Sequence, residues 1–291
     1  MHNIHNEFGS VETRLLDVKN ELTSLIIKHG SCQAEVSLYG GQVLTWQPEG
    51  HRPVFWLSKT ANYQETKPIR GGIPICWPWF SLNDKASKNE SKYHGFARLQ
   101  VWDVESISIT EKSVTVTLTW QGENMDVLFP NACKLRQILV FGETFKQTLE
   151  MTNLSDVPVE YTAALHCYFK VSNPENISVD SLSLAEYQDK ITDKIEQPEH
   201  LDNCIGRIDR VYFENKTQCI IDKKWQRTIK VIPENTKQWV LWNPGAELSL
   251  SMEDVHEQGE NEFVCLEAAN TQWQEIPANS TVSMGQTVKV F

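Results

Sequence analysis

Apolar and polar residues alternate with a period of two in one segment after another of this chain: LTSLIIKHG, SCQAEVSLYG, VWDVESISIT, KSVTVTLTW, TFKQTLEMTN and TIKVIP, separated by short polar turns. Successive side chains of a strand point to opposite faces, so this alternation builds half-buried sheet and not an amphipathic helix. Helical patterns of ten or more residues are almost absent, the best being a turn or two near ENMDVLF, closed by Pro130. TEK at 110–112 and GE at 142–143 read as hairpin connections, which makes part of the sheet system antiparallel and sequentially wound. The expected fold class is all-β: a large, mostly antiparallel sandwich with few short helices. No Gly/Ser-rich linker, charge block or repeat divides the 291 residues, so no domain boundary is placed. The more polar residues 181–203 read as a strand pair with long surface loops.

Ten Trp, eleven Phe and seven Tyr supply broad aromatic surfaces for a core or a cleft. A net charge of −11 opposes non-specific attraction to nucleic acid or to anionic membranes, so an anionic ligand needs a local cluster of Arg or Lys. The N-terminal MHNIHNEFGSVETRLLDVKN lacks the basic patch and apolar core of a secretory signal, and no apolar run is long enough to span a bilayer. The expected location is cytoplasmic. Seven dispersed cysteines without a CxxC pair argue against both a disulfide scaffold and a zinc knuckle, and read as reduced thiols. His2 and His5 have metal-ligand spacing but no third partner.

Against this background RGGIPICWPWF, Arg70 to Phe80, stands out. Pro74 and Pro78 lack the amide hydrogens a central strand donates, while Gly71 and Gly72 admit positive φ and close backbone approach. The segment is a stiff, unusually shaped loop, either a packed corner burying Trp77 and Trp79 or the wall of a ligand site. YHGFAR places His94 in a turn and adds Arg98 to Arg70 as a second fixed cation beside glycine, and guanidinium forks suit carboxylate or phosphate. ALHCYF embeds His166 in an apolar alternating strand, and FVCLEAAN sets Glu267 at the end of another. Each is either a satisfied core group or a site residue, since burial penalises both unless they are partnered or face a cavity. Asp209 of DRVYF precedes a strand, where Asp-Arg pairs are commonly solvated turns.

In that order, RGGIPICWPWF, HGFAR, ALHCYF, DRVYF, WNPG and FVCLEAAN resemble the aldose 1-epimerase superfamily, in particular its hexose-6-phosphate branch, from about Leu22 to the C-terminus. The resemblance implies a single domain, a β-sandwich of the galactose mutarotase type, with residues 1–21 an extension free to be partly flexible. It implies a substrate cleft across one sheet, with RGGIPICWPWF as a lining segment. By the same resemblance His166 and Glu267 are catalytic, Asp209 holds sugar hydroxyls, Arg70 and Arg98 take the phosphate, and Tyr93 and His94 contact substrate. Three positions depart from the pattern: Tyr93 stands where relatives often have glutamine, Ser81 where glycine is frequent, and Leu99 where asparagine is familiar.

The implied activity is interconversion of the α and β anomers of a hexose 6-phosphate, with glucose 6-phosphate the expected substrate. Ionised Glu267 takes the C1 hydroxyl proton and protonated His166 supplies O5, so no metal or organic cofactor is needed. A small sugar phosphate is the expected partner of a monomer or weak oligomer, without nucleic acid or membrane. Three alternatives stay open: a mutarotase for unphosphorylated aldoses, a non-catalytic carbohydrate-binding protein on the same sandwich, and a glycosidase, for which Glu267 and Asp209 are the nominable carboxylates.

Overall fold

The computed structural model describes residues 2–17, 19, 21–85 and 92–291. Its strands form three antiparallel sheets. The first is a meander in chain order, Asn3–Asn6, Gly9–Asp17, Leu22–His29, Cys32–Ser37 and Gln42–Pro48. The second, the back sheet, runs Ile177–Ser178, Gln218–Asp222, Arg227–Glu234, Thr281–Val290, Phe145–Asn153, Cys133–Phe141, Val114–Gly122 and Asp103–Ile109. The third, the cleft sheet, runs Lys194–Glu196, Tyr187–Asp189, Ile208–Tyr212, Gln238–Asn243, Phe263–Ile276, Val159–Leu165 and Ile75–Cys76, with Tyr168–Lys170 also paired to Phe263–Ile276. Among the described residues the helical content is one five-residue α-helix, Gly245–Ser249, and four short 3-10 turns.

Sequence alternation becomes burial here. Along Cys133–Phe141 and Phe145–Asn153 every second residue is buried, and these inward residues share one core with Leu25 and Ile27 of the meander and Leu165 and Leu266 of the cleft sheet. Phe263–Ile276 differs: its first eight residues are all buried, so both of its faces are covered. This explains why FVCLEAAN reads as a near-continuous apolar run. The turns at 110–112 and 142–143 join antiparallel neighbours, and residues 181–203 contain the paired strands Tyr187–Asp189 and Lys194–Glu196.

Three local readings are refined. ENMDVLF is a bridged turn, because the Asp126 carboxylate accepts from the Leu128 amide at 3.0 Å and competes with helical hydrogen bonding. The N-terminal extension is anchored: Gly9–Asp17 pairs along Leu22–His29, and Asn3–Asn6 caps that edge. Asp209 and Arg210 lie inside the strand Ile208–Tyr212 and not in a turn before it. No helix of the described residues is long and apolar enough to cross a membrane.

Candidate active site

RGGIPICWPWF proves to be both packed corner and wall. Trp77 and Trp79 are fully buried in the main core, while Ile75–Cys76 adds a two-residue strand to the cleft sheet. Gly72 has φ 61° and its missing Cβ would lie 2.0 Å from the Val43 carbonyl; at Gly71, φ 114°, the clash would be with the Trp56 carbonyl at 2.5 Å. No other residue fits at either position. This close approach lets the Pro74 carbonyl accept from the His166 amide at 3.0 Å and the Gly72 carbonyl from the Tyr168 amide at 2.9 Å. The prolines thus stiffen a segment that grips the backbone on both sides of His166.

His166 falls in the gap between Val159–Leu165 and Tyr168–Lys170 and not within a regular strand. Both flanking strands keep one register with Phe263–Ile276, Leu165 opposite Ala268 and Tyr168 opposite Cys265, so His166 faces Glu267 across the same strand pair. Directly opposite residues are close enough for side chains to meet, and His166 Nδ1 lies 3.3 Å from Glu267 Oε1. Register continues the two rows across the sheet: Val240 pairs with Glu267, Trp242 with Cys265, and Asp209 with Trp242. The His166 ring stacks on Tyr168 at 4.9 Å and meets Trp242 edge-on.

These groups line a cleft of about 310 Å³ bounded by Arg70, Phe80, Tyr93, His94, Arg98, His166, Arg207, Asp209, Val240, Trp242, Leu248, Met252 and Glu267. All seven residues nominated from sequence are therefore brought together. Others were missed. Arg207 sits two residues before Asp209, just ahead of the strand Ile208–Tyr212, a spacing that was legible in GRIDR. Trp242 forms an aromatic wall and buried Tyr168 backs the His166 ring, roles that depend on cross-strand register and for which sequence carries no signal.

Electrostatics set the resting state of the pair. Burial, followed by the charges of Arg98 and Arg70, lowers the His166 pKa to about 3. Burial, followed by the Asp209 charge, raises that of Glu267 well above the ordinary carboxyl value. Both shifts run toward the uncharged forms, a neutral imidazole beside a carboxylic acid, and so oppose the imidazolium and carboxylate of the sequence reading. His166 Nδ1 and Glu267 Oε2 are both buried without a hydrogen-bond partner among the described residues. Asp209, raised to about 6 by burial, is a second carboxyl poised near neutrality.

The cationic side of the cleft is unequal. Arg70 is engaged, donating from Nε to Asp254 at 3.1 Å and from Nη1 to the Tyr168 hydroxyl at 2.8 Å. Arg98 donates from Nη2 to the Tyr93 carbonyl, while its Nε is buried and unpartnered among the described residues. Arg207 is exposed at the rim. His94 Nδ1 accepts from the Ser81 amide at 2.9 Å, which leaves Nε2 to carry the proton of a neutral ring. Its pKa is held well below the usual value by burial and then by Arg98. Ser81 has φ 63°, the left-handed region that suits the glycine frequent at this position.

Residues 23–290 match the family model described as aldose 1-epimerase. An Escherichia coli (strain K12) protein named "Putative glucose-6-phosphate 1-epimerase" is 32% identical over 276 residues, covering 93% of this chain and 91% of its own length. A Salmonella typhimurium protein of the same name is 31% identical over equal coverage, 93% and 91%. The crystal structure of "a putative mutarotase" from Salmonella typhimurium superposes with a TM-score of 0.86 at 28% identity, covering 99% of this chain and 96% of that one. On the matched family model, on these relatives and on the mutarotase fold, the chain belongs to the aldose 1-epimerase family, a family of isomerases.

Proposed function

We propose that this epimerase acts on a hexose 6-phosphate, glucose 6-phosphate in the first place, with His166 and Glu267 sharing one catalytic proton. The observation that carries the reading is the unpartnered, buried pair His166 Nδ1 and Glu267 Oε2 at the floor of a cleft whose wall holds an unpartnered arginine nitrogen. Buried polar atoms are normally satisfied, so groups left open at the floor of a cleft are kept for a ligand.

Ring opening removes the C1 hydroxyl proton, forms the C1 carbonyl, breaks the C1–O5 bond and protonates O5. Reclosure after rotation about C1–C2 reverses each step on the other carbonyl face. One group without the proton and one holding it suffice. In the sense drawn here Glu267 is the base and His166 the acid, so the resting proton must first pass from Glu267 to His166. An anionic phosphate raises the imidazole by offsetting Arg98 and Arg70, which both depress it, and raises Glu267 through Arg98 alone, so the balance of the two shifts moves toward His166. Asp209 and the Nε2–H of His94 are placed to hold sugar hydroxyls, and Trp242 and Phe80 offer apolar faces to the ring. Arg98 is the primary phosphate ligand in this reading, with Arg207 at the rim, while Arg70 joins only by sharing or exchanging Asp254.

The names of the curated relatives favour the phosphorylated substrate, and two arginines enclosed in the cleft favour it over a neutral aldose, which offers nothing for desolvating them. Anomer exchange followed on glucose 6-phosphate beside free glucose and galactose tests the reading. We expect acceleration of the phosphorylated sugar by at least tenfold over either free sugar, undiminished by EDTA. Equal rates on all three would remove the phosphate assignment, and binding without any change in exchange rate would point to a carbohydrate-binding protein.

A further inference from the structure

Cys265 takes no part in the chemistry above, yet register sets it in the row next to Glu267, on the same face of Phe263–Ile276 and directly opposite Tyr168. One nitrogen of His166, the sulfur of Cys265 and one oxygen of Glu267 all lie within 4.8 Å of one another, and all three side chains are buried. Imidazole and thiolate are borderline-to-soft ligands and carboxylate a harder one, a mixed set that zinc-class ions bind, and a tetrahedral ion with bonds of about 2.0–2.3 Å places its ligand atoms roughly 3.5 Å apart. Rotamer adjustments of about 1 Å close the cluster to that spacing. Two of the candidate ligands already contain buried atoms with no partner, His166 Nδ1 and Glu267 Oε2, so an ion gains ligands without breaking existing hydrogen bonds to those atoms.

We propose that His166, Cys265 and Glu267 form an inhibitory site for a thiophilic divalent cation of the zinc class, closed by three protein ligands with the fourth position facing the cleft. Binding displaces the thiol proton of Cys265 and the carboxyl proton of Glu267 to solvent, so the 2+ ion meets two anions and the buried cluster stays neutral. That neutrality offsets the unfavourable field of Arg70 and Arg98. The ion occupies the two groups that exchange the catalytic proton and excludes the sugar from them. The cation is thus a brake on the activity and not its cofactor, which agrees with a reaction that needs only an acid and a base.

The inference rests on the proposed roles of His166 and Glu267 only where activity is the readout, so a second readout is independent of catalysis. In a buffer free of thiols and chelators, one equivalent of Zn2+ should cut anomer exchange more than tenfold, with EDTA restoring the rate. Co2+ added to the wild-type protein should bind at one equivalent and give a thiolate-to-cobalt charge-transfer band, which glucose 6-phosphate weakens by competition. Cys265→Ser and Cys265→Ala should lose the band and become at least tenfold less sensitive to Zn2+ relative to their own metal-free rates. Cys219→Ser, at the half-exposed thiol, should keep both responses. Full exchange at tenfold excess Zn2+ together with no cobalt band overturns the site, as does a band that persists in both Cys265 variants. A band that depends on Cys265 in a protein without epimerase activity would leave the metal site standing while the proposed function falls.

Discussion

Two clusters of buried polar side chains lie close together in the interior, and they are built on opposite rules. In the back sheet Gln147 stands opposite Gln286 and diagonal to Gln137 on three adjacent strands, all three fully buried. Gln137 donates to the Gly41 carbonyl, Gln147 to Gln137 at 2.6 Å, and Gln286 to Gln147 at 2.9 Å and to the Cys167 sulfur at 2.8 Å. This ladder links the back sheet to the turn before Gln42–Pro48 and to the segment between Val159–Leu165 and Tyr168–Lys170, and among the described residues it leaves open only the Gln286 carbonyl oxygen. One residue beyond its end, His166 and Glu267 carry titratable groups with partners missing on both. Neutral amides whose bonds are closed among themselves hold structure; ionisable groups left open toward a cleft keep their bonding capacity for a ligand. The difference makes opposite predictions for substitutions in the two clusters.

The largest expected effect is on turnover at the open pair. His166→Ala and Glu267→Gln should each lower kcat by about 10²–10⁴-fold, since positioned proton transfer is worth that much per group. The double variant should be little worse than either single one, because the two act on one proton. Steady-state anomer exchange of each variant checks this, and a near-normal kcat in either removes that residue from the mechanism.

The arginine wall sharpens the contrast at a smaller scale. Arg98→Ala should cost about 10–100-fold in kcat/KM on glucose 6-phosphate, the loss of one charge-assisted contact of roughly 1.5–3 kcal/mol, and leave slow turnover of free glucose nearly unchanged. Lysine at position 98 should recover only part, having charge but no planar fork. Because Asp254 already engages Arg70, Arg70→Ala should show the smaller selective loss and some loss shared by both sugars. Equal losses on both sugars for Arg98→Ala would mean that it holds the loop and does not read phosphate.

A smaller effect is expected from pH. His166 gains a second proton on the pair only near its lowered value of about 3, and the pair loses its single proton only above the raised value of Glu267. The kcat/KM profile, corrected for the second ionisation of the phosphate near pH 6 and for Asp209, raised to about 6, should therefore show no acid limb from His166 at the ordinary imidazole value of about 6.5. Such a limb in the wild type, absent from His166→Ala, would contradict the buried neutral state.

The sheet architecture was legible because alternation is local: each of the six alternating segments coincides largely with a strand. His166 and Glu267 were legible as ionisable groups in apolar runs, but their opposition was not, since they stand 101 positions apart in sequence and meet only through strand register. The contact between Arg70 and Asp254 spans 184 residues and left no trace in either local pattern. The glutamine ladder did leave one: Gln147 shares the parity of Phe145, Leu149 and Met151, an amide in a row of inward apolar residues. Its partners lie on other strands, so the signal identified a buried polar group without showing how it is satisfied.

One side-by-side measurement bears most directly on the distinction between open and closed buried polarity: exchange rate and Tm of Glu267→Gln and Gln147→Leu. Glu267 has its folded pKa raised, so its burial lowers stability progressively as pH rises above the unfolded carboxyl value of about 4.3 toward the folded one. A neutral amide removes that cost, and Glu267→Gln should raise Tm at pH 7 by a few degrees while abolishing turnover. Gln147→Leu strands the Gln137 oxygen and one Gln286 N–H at about 1–3 kcal/mol each, and should lower Tm by roughly 4 °C or more while kcat stays within about threefold. The account predicts these opposite signs. It is contradicted if Glu267→Gln lowers Tm and retains turnover, or if Gln147→Leu leaves Tm unchanged and turnover collapses.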